Sequence, residues 1–124
     1  LRFAANRRQF GKPIAEHQLV QAMLADSRAE AYAGRTMVLD AARRRDEGAK
    51  VTLEASSAKL FNTEMVGRVA DRAVQIHGGA GYIADYAVER LYRDVRLFRL
   101  YEGTTQIQQL IIAREMLRDH EVSN

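Results

Sequence analysis

The chain has 124 residues, 47% of them hydrophobic, and no cysteine, so it can form one domain with a core but has neither disulfides nor catalytic thiols. Its formal charge is +3, yet the basic run at residues 43–45 lies beside two acidic residues, which favours a solvated helix end over a nucleic-acid surface. With no run of about 18 apolar residues and no secretory leader, we expect a cytoplasmic protein without a membrane span.

Apolar periodicity predicts helices joined by short turns, with no alternating pattern typical of strands, so the expected fold class is all-α. Residues 1–6 look like the end of a helix already under way, and because residue 1 is leucine we expect the chain to be a piece of a longer one. A turn at residues 10–13 follows. The four main helices are predicted at residues 14–45, 51–76, 86–96 and 105–118, with a frayed tail from 120 to 124.

Short connections indicate an antiparallel up-and-down four-helix bundle. Gly48 suits the left-handed position that ends the first helix, Gly78 begins the glycines that end the second, and Asp85 is the expected N-cap of the third. The inward-facing residues are predicted as Val20, Leu24, Ser27, Ala31, Val38 and Ala42 on the first helix; Ala58, Phe61, Met65, Val69, Ala73 and Ile76 on the second; Val88, Leu91, Tyr92 and Val95 on the third; and Ile107, Leu110, Ile111 and Leu117 on the fourth.

Glu102 is the candidate catalytic residue, in a loop just ahead of the fourth helix. Thr105 and Gln108 form a capping-box pattern, which places the helix start within a few residues of the carboxylate. The spacing alone favours a structural interpretation, since a helix N-terminus stabilises a negative charge by about 0.3–1 kcal/mol. The competing interpretation is an acid–base catalyst, and other segments of the chain support it.

Four segments carry a resemblance to a known family. Residues 6–18 read Asn-Arg-Arg-Gln-Phe-Gly-Lys-Pro-Ile-Ala-Glu-His-Gln, residues 75–82 read Gln-Ile-His-Gly-Gly-Ala-Gly-Tyr, residues 89–94 read Glu-Arg-Leu-Tyr-Arg-Asp, and residues 101–108 read Tyr-Glu-Gly-Thr-Thr-Gln-Ile-Gln. In order and spacing they resemble the C-terminal helical domain of the flavin-dependent acyl-CoA dehydrogenases, over essentially the whole of residues 1–124.

The resemblance implies FAD as the cofactor. Arg7 would reach its pyrophosphate, which a guanidinium fork suits. Gln75, Gly78 and Gly79 would lie along the adenine-dinucleotide part of a partner subunit's FAD, where glycine permits close approach of the backbone. Free N–H groups at the start of the last helix suit phosphate oxygens. The implied cofactor residues are Arg7, Gln18, Gln75, Gly78, Gly79, Thr104 and Gln106.

The resemblance also implies a substrate and a reaction. Glu102 would remove the α-proton of an acyl-CoA thioester while the flavin takes the β-hydride, giving a trans-2-enoyl-CoA as in fatty-acid β-oxidation. Tyr101 and Gly103 would line the acyl path, and the Glu102 N–H would donate to the thioester carbonyl. The implied partners are an electron-transferring flavoprotein and further copies of the chain in a dimer of dimers. We find no metal-ligand cluster, and none of the three histidines has an acid–base partner at a telling spacing.

Two alternatives remain open. The chain could be a non-catalytic helical module for oligomerisation or protein binding, and an acyl-CoA oxidase would use the same residues but pass its electrons to oxygen. The family's N-terminal helical and middle β-domains have no counterpart in this sequence. We therefore expect the segment alone to be inactive, to associate through apolar helix faces and to bind FAD poorly.

Overall fold

The structure, a computed structural model, describes residues 1–122 and is almost entirely helical, which confirms the all-α class. Three short 3₁₀ turns lie between the main elements, at Ile14–Glu16, Gly78–Tyr82 and Leu97–Arg99. Residues 120–122, predicted as part of a frayed tail, continue the last helix, and residues 123–124 lie outside the described residues. The main elements are α1 (Arg2–Asn6), β1 (Arg8–Gln9), β2 (Lys12–Pro13), α2 (Gln18–Asp46), α3 (Thr52–His77), α4 (Val88–Arg96) and α5 (Thr105–Val122).

Helix α3 is the centre of the fold, because α2, α4 and α5 all pack against it. Helix α2 runs antiparallel to α3, as predicted, and the Asn62 amide donates to the carbonyl of Gly34 at 3.2 Å. Helix α5 lies along the N-terminal half of α3, since its Thr105 donates to Glu64 and its Glu115 pairs with Lys50. Helix α4 lies along the C-terminal half of α3. Helices α4 and α5 therefore follow one another along α3, and the loop between them lies beside the middle of that helix.

Close contact between α2 and α3 depends on a small residue and a cluster of charges. Gly34 is buried, and a Cβ added there would overlap the amide of Asn62. Glu30 reaches from α2 to two arginines of α3, with Arg72 Nη1 at 2.8 Å and Arg68 Nε at 3.1 Å. The hydrogen bond from Arg72, assisted by Arg68, lowers the pKa of Glu30 below its ordinary value. These contacts fix the register of the two long helices.

A small hairpin precedes α2, which the sequence pattern did not reveal. Arg8 pairs with Pro13 and Gln9 with Lys12, so each strand has only two residues. Phe10 and Gly11 form the loop with φ of 52° and 80°, the left-handed backbone that two-residue hairpin turns require. Strands this short cannot display a period of two, so their absence from the prediction has a simple cause.

Several predicted helix boundaries are wrong by a few residues. The first long helix begins at Gln18 rather than residue 14, because the extended backbone of His17 separates it from a 3₁₀ turn. Helix α4 begins at Val88 with Ala87 as its N-cap, so Asp85 does not cap it. The last helix is capped one residue earlier than predicted, because the hydroxyl of Thr104 accepts the Ile107 N–H at 3.3 Å.

The inward faces of α2, α4 and α5 also differ from the predicted stripes. On α4, Leu91 and Tyr92 were predicted to face inward but are 50% and 46% exposed. On α2, Ala31, Val38 and Ala42 are exposed, since the face turned to α3 carries Glu30 and Gly34. On α5 the buried residues are Gln108 and Glu115, whereas three of the four predicted core residues are exposed: Ile107, Leu110 and Leu117. No helix within residues 1–122 combines the length and the apolarity needed to cross a membrane.

Candidate functional site

The loop that carries Glu102 has an unusual backbone. Glu102 has φ of 52° and the next residue, Gly103, has φ of 85°, so two consecutive residues adopt the left-handed conformation. Glycine does so freely, but for a glutamate this conformation costs roughly 1–3 kcal/mol and persists only when the surroundings impose it. Strain of this kind is concentrated at functional sites. The backbone therefore distinguishes Glu102 from an ordinary surface glutamate.

The Glu102 carboxylate is exposed and has no hydrogen bond or ion pair with any residue in the part of the chain that the structure describes. Thr104, not Glu102, satisfies the first N–H groups of α5. The structural interpretation, in which Glu102 serves the helix N-terminus, is thus unsupported by the contacts. Its backbone N–H likewise donates to no described residue. The carboxylate and the N–H of this exposed residue are therefore both without a partner among residues 1–122.

Side chains of α3 and α5 hold this loop through contacts to its backbone carbonyls. Lys59 donates from Nζ to the carbonyl oxygens of Phe98 and Gly103, at 3.1 and 2.5 Å. Gln108 Nε2 lies 3.4 Å from the carbonyl oxygens of both Glu102 and Gly103. The loop is therefore attached at its backbone, which leaves the Glu102 side chain free.

A second set of contacts fixes the segments on either side of the loop. Glu64, on α3, accepts a hydrogen bond from Thr105 Oγ1 at 2.9 Å and pairs with Arg99 Nε at 3.2 Å. Arg99 lies over Gly67, where any Cβ would overlap its guanidinium. Sequence reasoning missed Lys59, Glu64 and Arg99. A charged residue beside an apolar stripe is a weak signal, because most such residues are solvated.

Tyr101 and Gly103 adjoin Glu102 as the predicted substrate contacts. The Tyr101 ring stacks on Phe98, with ring centroids 5.8 Å apart, and 44% of the residue is exposed. At Gly103 an added Cβ would lie 2.6 Å from the Gln108 amide, so a larger residue would disturb the loop. The surface next to the carboxylate thus combines the aromatic ring of Tyr101 with the backbone of Gly103, which carries no side chain.

Four of the predicted cofactor residues meet in one groove of about 600 Å³ near the C-terminal end of α3, namely Arg7, Gln75, Gly78 and Gly79. The Arg7 guanidinium is exposed and forms no ion pair within residues 1–122. The space above both glycines is open, since an added Cβ would meet no atom within 4 Å. Aromatic and aliphatic side chains complete the walls: Phe3, Phe10, Ile14, His77 and Tyr86.

These features fit a dinucleotide. A guanidinium without a partner suits a pyrophosphate, open glycine backbone allows close approach, and aromatic faces suit a planar ring system. Gln18 lies outside this groove, on a neighbouring cleft with Lys12 and Leu19, and His17 contributes to both surfaces. The groove therefore holds part of the predicted cofactor set and leaves Gln18 at its margin.

His77, one of two histidines that line the groove, has a packing role. His77 stacks on Phe3 with ring centroids 4.1 Å apart, and its Nδ1 donates to the Ala73 carbonyl at 2.7 Å. His17 contacts the Gln9 carbonyl at 3.3 Å. Among the described residues no group of three or more His, Asp, Glu or Cys side chains could hold a metal ion.

The structure does not bring all predicted site residues together. The Glu102 loop contacts α3 near residues 59–64, whereas the groove lies near Gln75. At 1.5 Å per helical residue the two regions are roughly 20 Å apart. Thr104 and Gln106 lie with Glu102 at the start of α5, and Gln106 is exposed. The chain thus presents two separate surfaces, one with Glu102 and one with Arg7.

Comparisons with known proteins identify the family to which this fold belongs. A family model described as "Acyl-CoA dehydrogenase, C-terminal domain" matches residues 1–117. The probable acyl-CoA dehydrogenase YngJ of Bacillus subtilis is 48% identical over 118 residues, covering 95% of this chain and 31% of that protein. The caffeyl-CoA reductase-Etf complex subunit CarC of Acetobacterium woodii is 44% identical over 118 residues, covering 95% and 31%.

A solved structure shows the same fold. The butyryl-CoA dehydrogenase of Megasphaera elsdenii superimposes with a TM-score of 0.91 at 36% identity, covering 94% of this chain and 30% of that one. The chain therefore spans about a third of the length of the relatives it matches.

Proposed function

Since the chain belongs to the acyl-CoA dehydrogenase family, as its C-terminal domain, we propose that it supplies the catalytic base and part of the FAD site of an enzyme that oxidises acyl-CoA thioesters to trans-2-enoyl-CoA. The observation that carries the proposal is Glu102, an exposed carboxylate without a partner in residues 1–122, on a loop with a strained backbone. A structural glutamate would gain nothing from that conformation.

The reaction assigns two tasks to Glu102. Its carboxylate takes the α-proton of the thioester, and its outward N–H donates to the thioester carbonyl, which stabilises the negative charge that develops there. The Cα–H and Cβ–H bonds break, a Cα=Cβ double bond forms, and the substrate loses two electrons. When bound, FAD accepts the β-hydrogen as hydride. Tyr101 and Gly103 border the acyl chain on this surface.

The cofactor residues divide between two FAD molecules in this proposal. Arg7, Gln75, Gly78 and Gly79 hold the dinucleotide portion of a partner subunit's FAD in the groove, whereas Thr104 and Gln106 contact the flavin next to Glu102. Gln18 contacts the same partner subunit's FAD from the groove's margin. The separation of roughly 20 Å along α3 supports this division, because the two sets are too distant to hold the same phosphates. The division implies a homo-oligomer, which we propose to be a dimer of dimers.

The direction of electron flow distinguishes two candidate functions. A dehydrogenase passes electrons from the acyl-CoA to an electron-transferring flavoprotein, and we propose that partner. A reductase runs the same chemistry in reverse, and the 44% identity to the CarC subunit of a caffeyl-CoA reductase-Etf complex favours keeping this as the second candidate. Both directions use Glu102 as the proton-transfer group, so the residue assignments are the same.

The test is Glu102→Gln in the complete polypeptide that contains this chain. We expect bound FAD to stay near the unaltered level while butyryl-CoA no longer bleaches the flavin under anaerobic conditions, a loss of about 1,000-fold or more. The isosteric amide keeps the shape of the side chain but cannot accept the proton. If Glu102→Gln keeps its turnover, the base is another residue. This domain would then be interpreted as the non-catalytic module.

A further inference from the structure

Lys59 is a lysine of α3 whose side chain reaches the loop that carries Glu102. Its Nζ contacts the Phe98 carbonyl at 3.1 Å and the Gly103 carbonyl at 2.5 Å. These two carbonyls stand before and after Glu102 in the sequence. One half-buried ammonium group therefore ties both ends of a six-residue segment, 98–103, to the central helix.

The chemistry of the contact suits a lysine. An ammonium group has three donors and no acceptor, so it can serve two carbonyls from one point. Hydrogen bonds from a charged donor are shorter and stronger than those from an amide. The amide of Gln108 lies 3.4 Å from the Gly103 carbonyl, whereas Lys59 lies at 2.5 Å, so Lys59 makes the closer contact. Removal of Lys59 would leave both carbonyls without their nearest donor.

We propose that Lys59 is a positioning residue that holds the backbone of Glu102 in its left-handed conformation, so that the carboxylate and the N–H point to the thioester. The inference rests on the proposed role of Glu102 as the base, and it names the group that orients that base. Lys59 does not itself touch the substrate, because its donors are directed to main-chain carbonyls on the inner side of the loop.

The experiment compares Lys59→Met, Lys59→Arg and Lys50→Met in the complete polypeptide that contains this chain. Methionine keeps the length and apolar stem of lysine but no donor, and arginine restores charged donors. Lys50 is the control, since it is a second lysine that bonds a residue distant in sequence, but its partner is Glu115 of α5, at 2.9 Å, and not the Glu102 loop. The readouts are bound FAD, thermal unfolding, anaerobic flavin reduction by butyryl-CoA, and deuterium exchange of residues 100–108.

We expect Lys59→Met to bind FAD normally, to exchange faster at residues 100–108 and to reduce its flavin roughly 10- to 100-fold more slowly at saturating butyryl-CoA, since small misplacements of a reacting group have effects of this size. The half-saturating concentration should change by less than about threefold. Arginine should restore most of the rate, and Lys50→Met should match the unaltered protein in bound FAD, flavin reduction and exchange at residues 100–108, whatever it costs in thermal stability through the buried Glu115.

Three results would overturn the inference. Normal flavin reduction in Lys59→Met would do so, as would unchanged exchange at residues 100–108. Loss of FAD or of cooperative unfolding would instead make Lys59 a residue of the fold. The deuterium exchange is independent of turnover. If Glu102→Gln stays active, the proposed function is wrong. If Glu102→Gln is inactive but Lys59→Met reduces its flavin normally, only the inference about Lys59 is wrong.

Discussion

At the scale of a single residue, the backbone of Glu102 is more informative than its side chain. A φ of 52° is uncommon outside glycine and asparagine. The strain is tolerated because Lys59 and Gln108 hold the carbonyls around it. The proposed catalytic role would explain why a glutamate occupies a position where glycine would fold more easily.

This strain predicts a difference between two substitutions of Glu102. Both Glu102→Gly and Glu102→Ala remove the carboxylate, but only alanine keeps the cost of a left-handed backbone. We expect the glycine variant to be more stable than the alanine variant by about 1 kcal/mol, and both to be inactive. Urea unfolding followed by circular dichroism measures the difference. Equal stabilities, or a more stable alanine variant, would show that the loop relaxes and stores no strain.

Glu102 could be proposed as the base from the sequence, but the contacts around it could not be predicted. The Tyr-Glu-Gly-Thr-Thr segment identified the residue through its resemblance to a family. No local sequence pattern predicts a positive φ at Glu102, although the glycine that follows is typical of a turn. Lys59 contacts the loop from 44 residues away in sequence, and no local pattern reveals which lysine reaches a distant carbonyl.

At the scale of the elements, periodicity predicted where the helices are but not always which face is inside. On α3 all six predicted inward residues are buried or half-buried, because this helix is surrounded by the other three. On α2 the inner face includes Glu30, and on α5 it includes Gln108 and Glu115. Polar residues with partners on α3, just before it or in the Glu102 loop can lie on the inner face. A pattern based on hydrophobicity assigns such residues to the surface.

The contact between α2 and α3 predicts a reversal of sign at Gly34. In an exposed helix Gly→Ala stabilises by about 1 kcal/mol. At Gly34 we expect Gly34→Ala to destabilise by about 1–3 kcal/mol instead, because the new methyl overlaps the Asn62 amide. Urea unfolding of the chain measures the change in free energy.

The control for this prediction is the same substitution in an Asn62→Ala background. Without the amide, the nearest remaining atom is Met65 Cε at 3.0 Å, the end of a flexible side chain that can shift. The substitution should therefore become neutral or stabilising. If Gly34→Ala raised stability in the unaltered chain, the two helices would have to lie further apart than the Gly34–Asn62 hydrogen bond of 3.2 Å implies.

At the scale of the whole molecule, the chain has a thin core and an apolar exterior. No large side chain in residues 1–122 is completely buried, whereas exposed apolar residues follow the outer faces of α2 and α5. Contiguous exposed apolar surface indicates an interaction site. The chain spans about a third of the length of its relatives, so the simplest occupants of these faces are further copies or further domains.

The outer face of α5 supplies the final prediction, that the purified 124-residue chain self-associates. Leu110 and Leu117 are 67% and 66% exposed and lie seven residues apart, two helical turns on one face. Burying one such leucine gains roughly 1.5–3 kcal/mol, so a charge at this position should weaken association by about tenfold or more. We expect Leu110→Glu to shift the chain toward the monomer, as measured by sedimentation at several concentrations.

Gln109→Glu is the matched control for Leu110→Glu, because it adds the same charge at the neighbouring exposed position without removing apolar surface. It should leave the association unchanged, which separates loss of burial from electrostatic repulsion. Flavin absorbance of the same samples should remain far below one FAD per chain, since Glu102 and the groove lie on surfaces that need further protein to enclose a cofactor. A monomer that carries stoichiometric flavin would contradict both the shared site and the role assigned to the apolar faces.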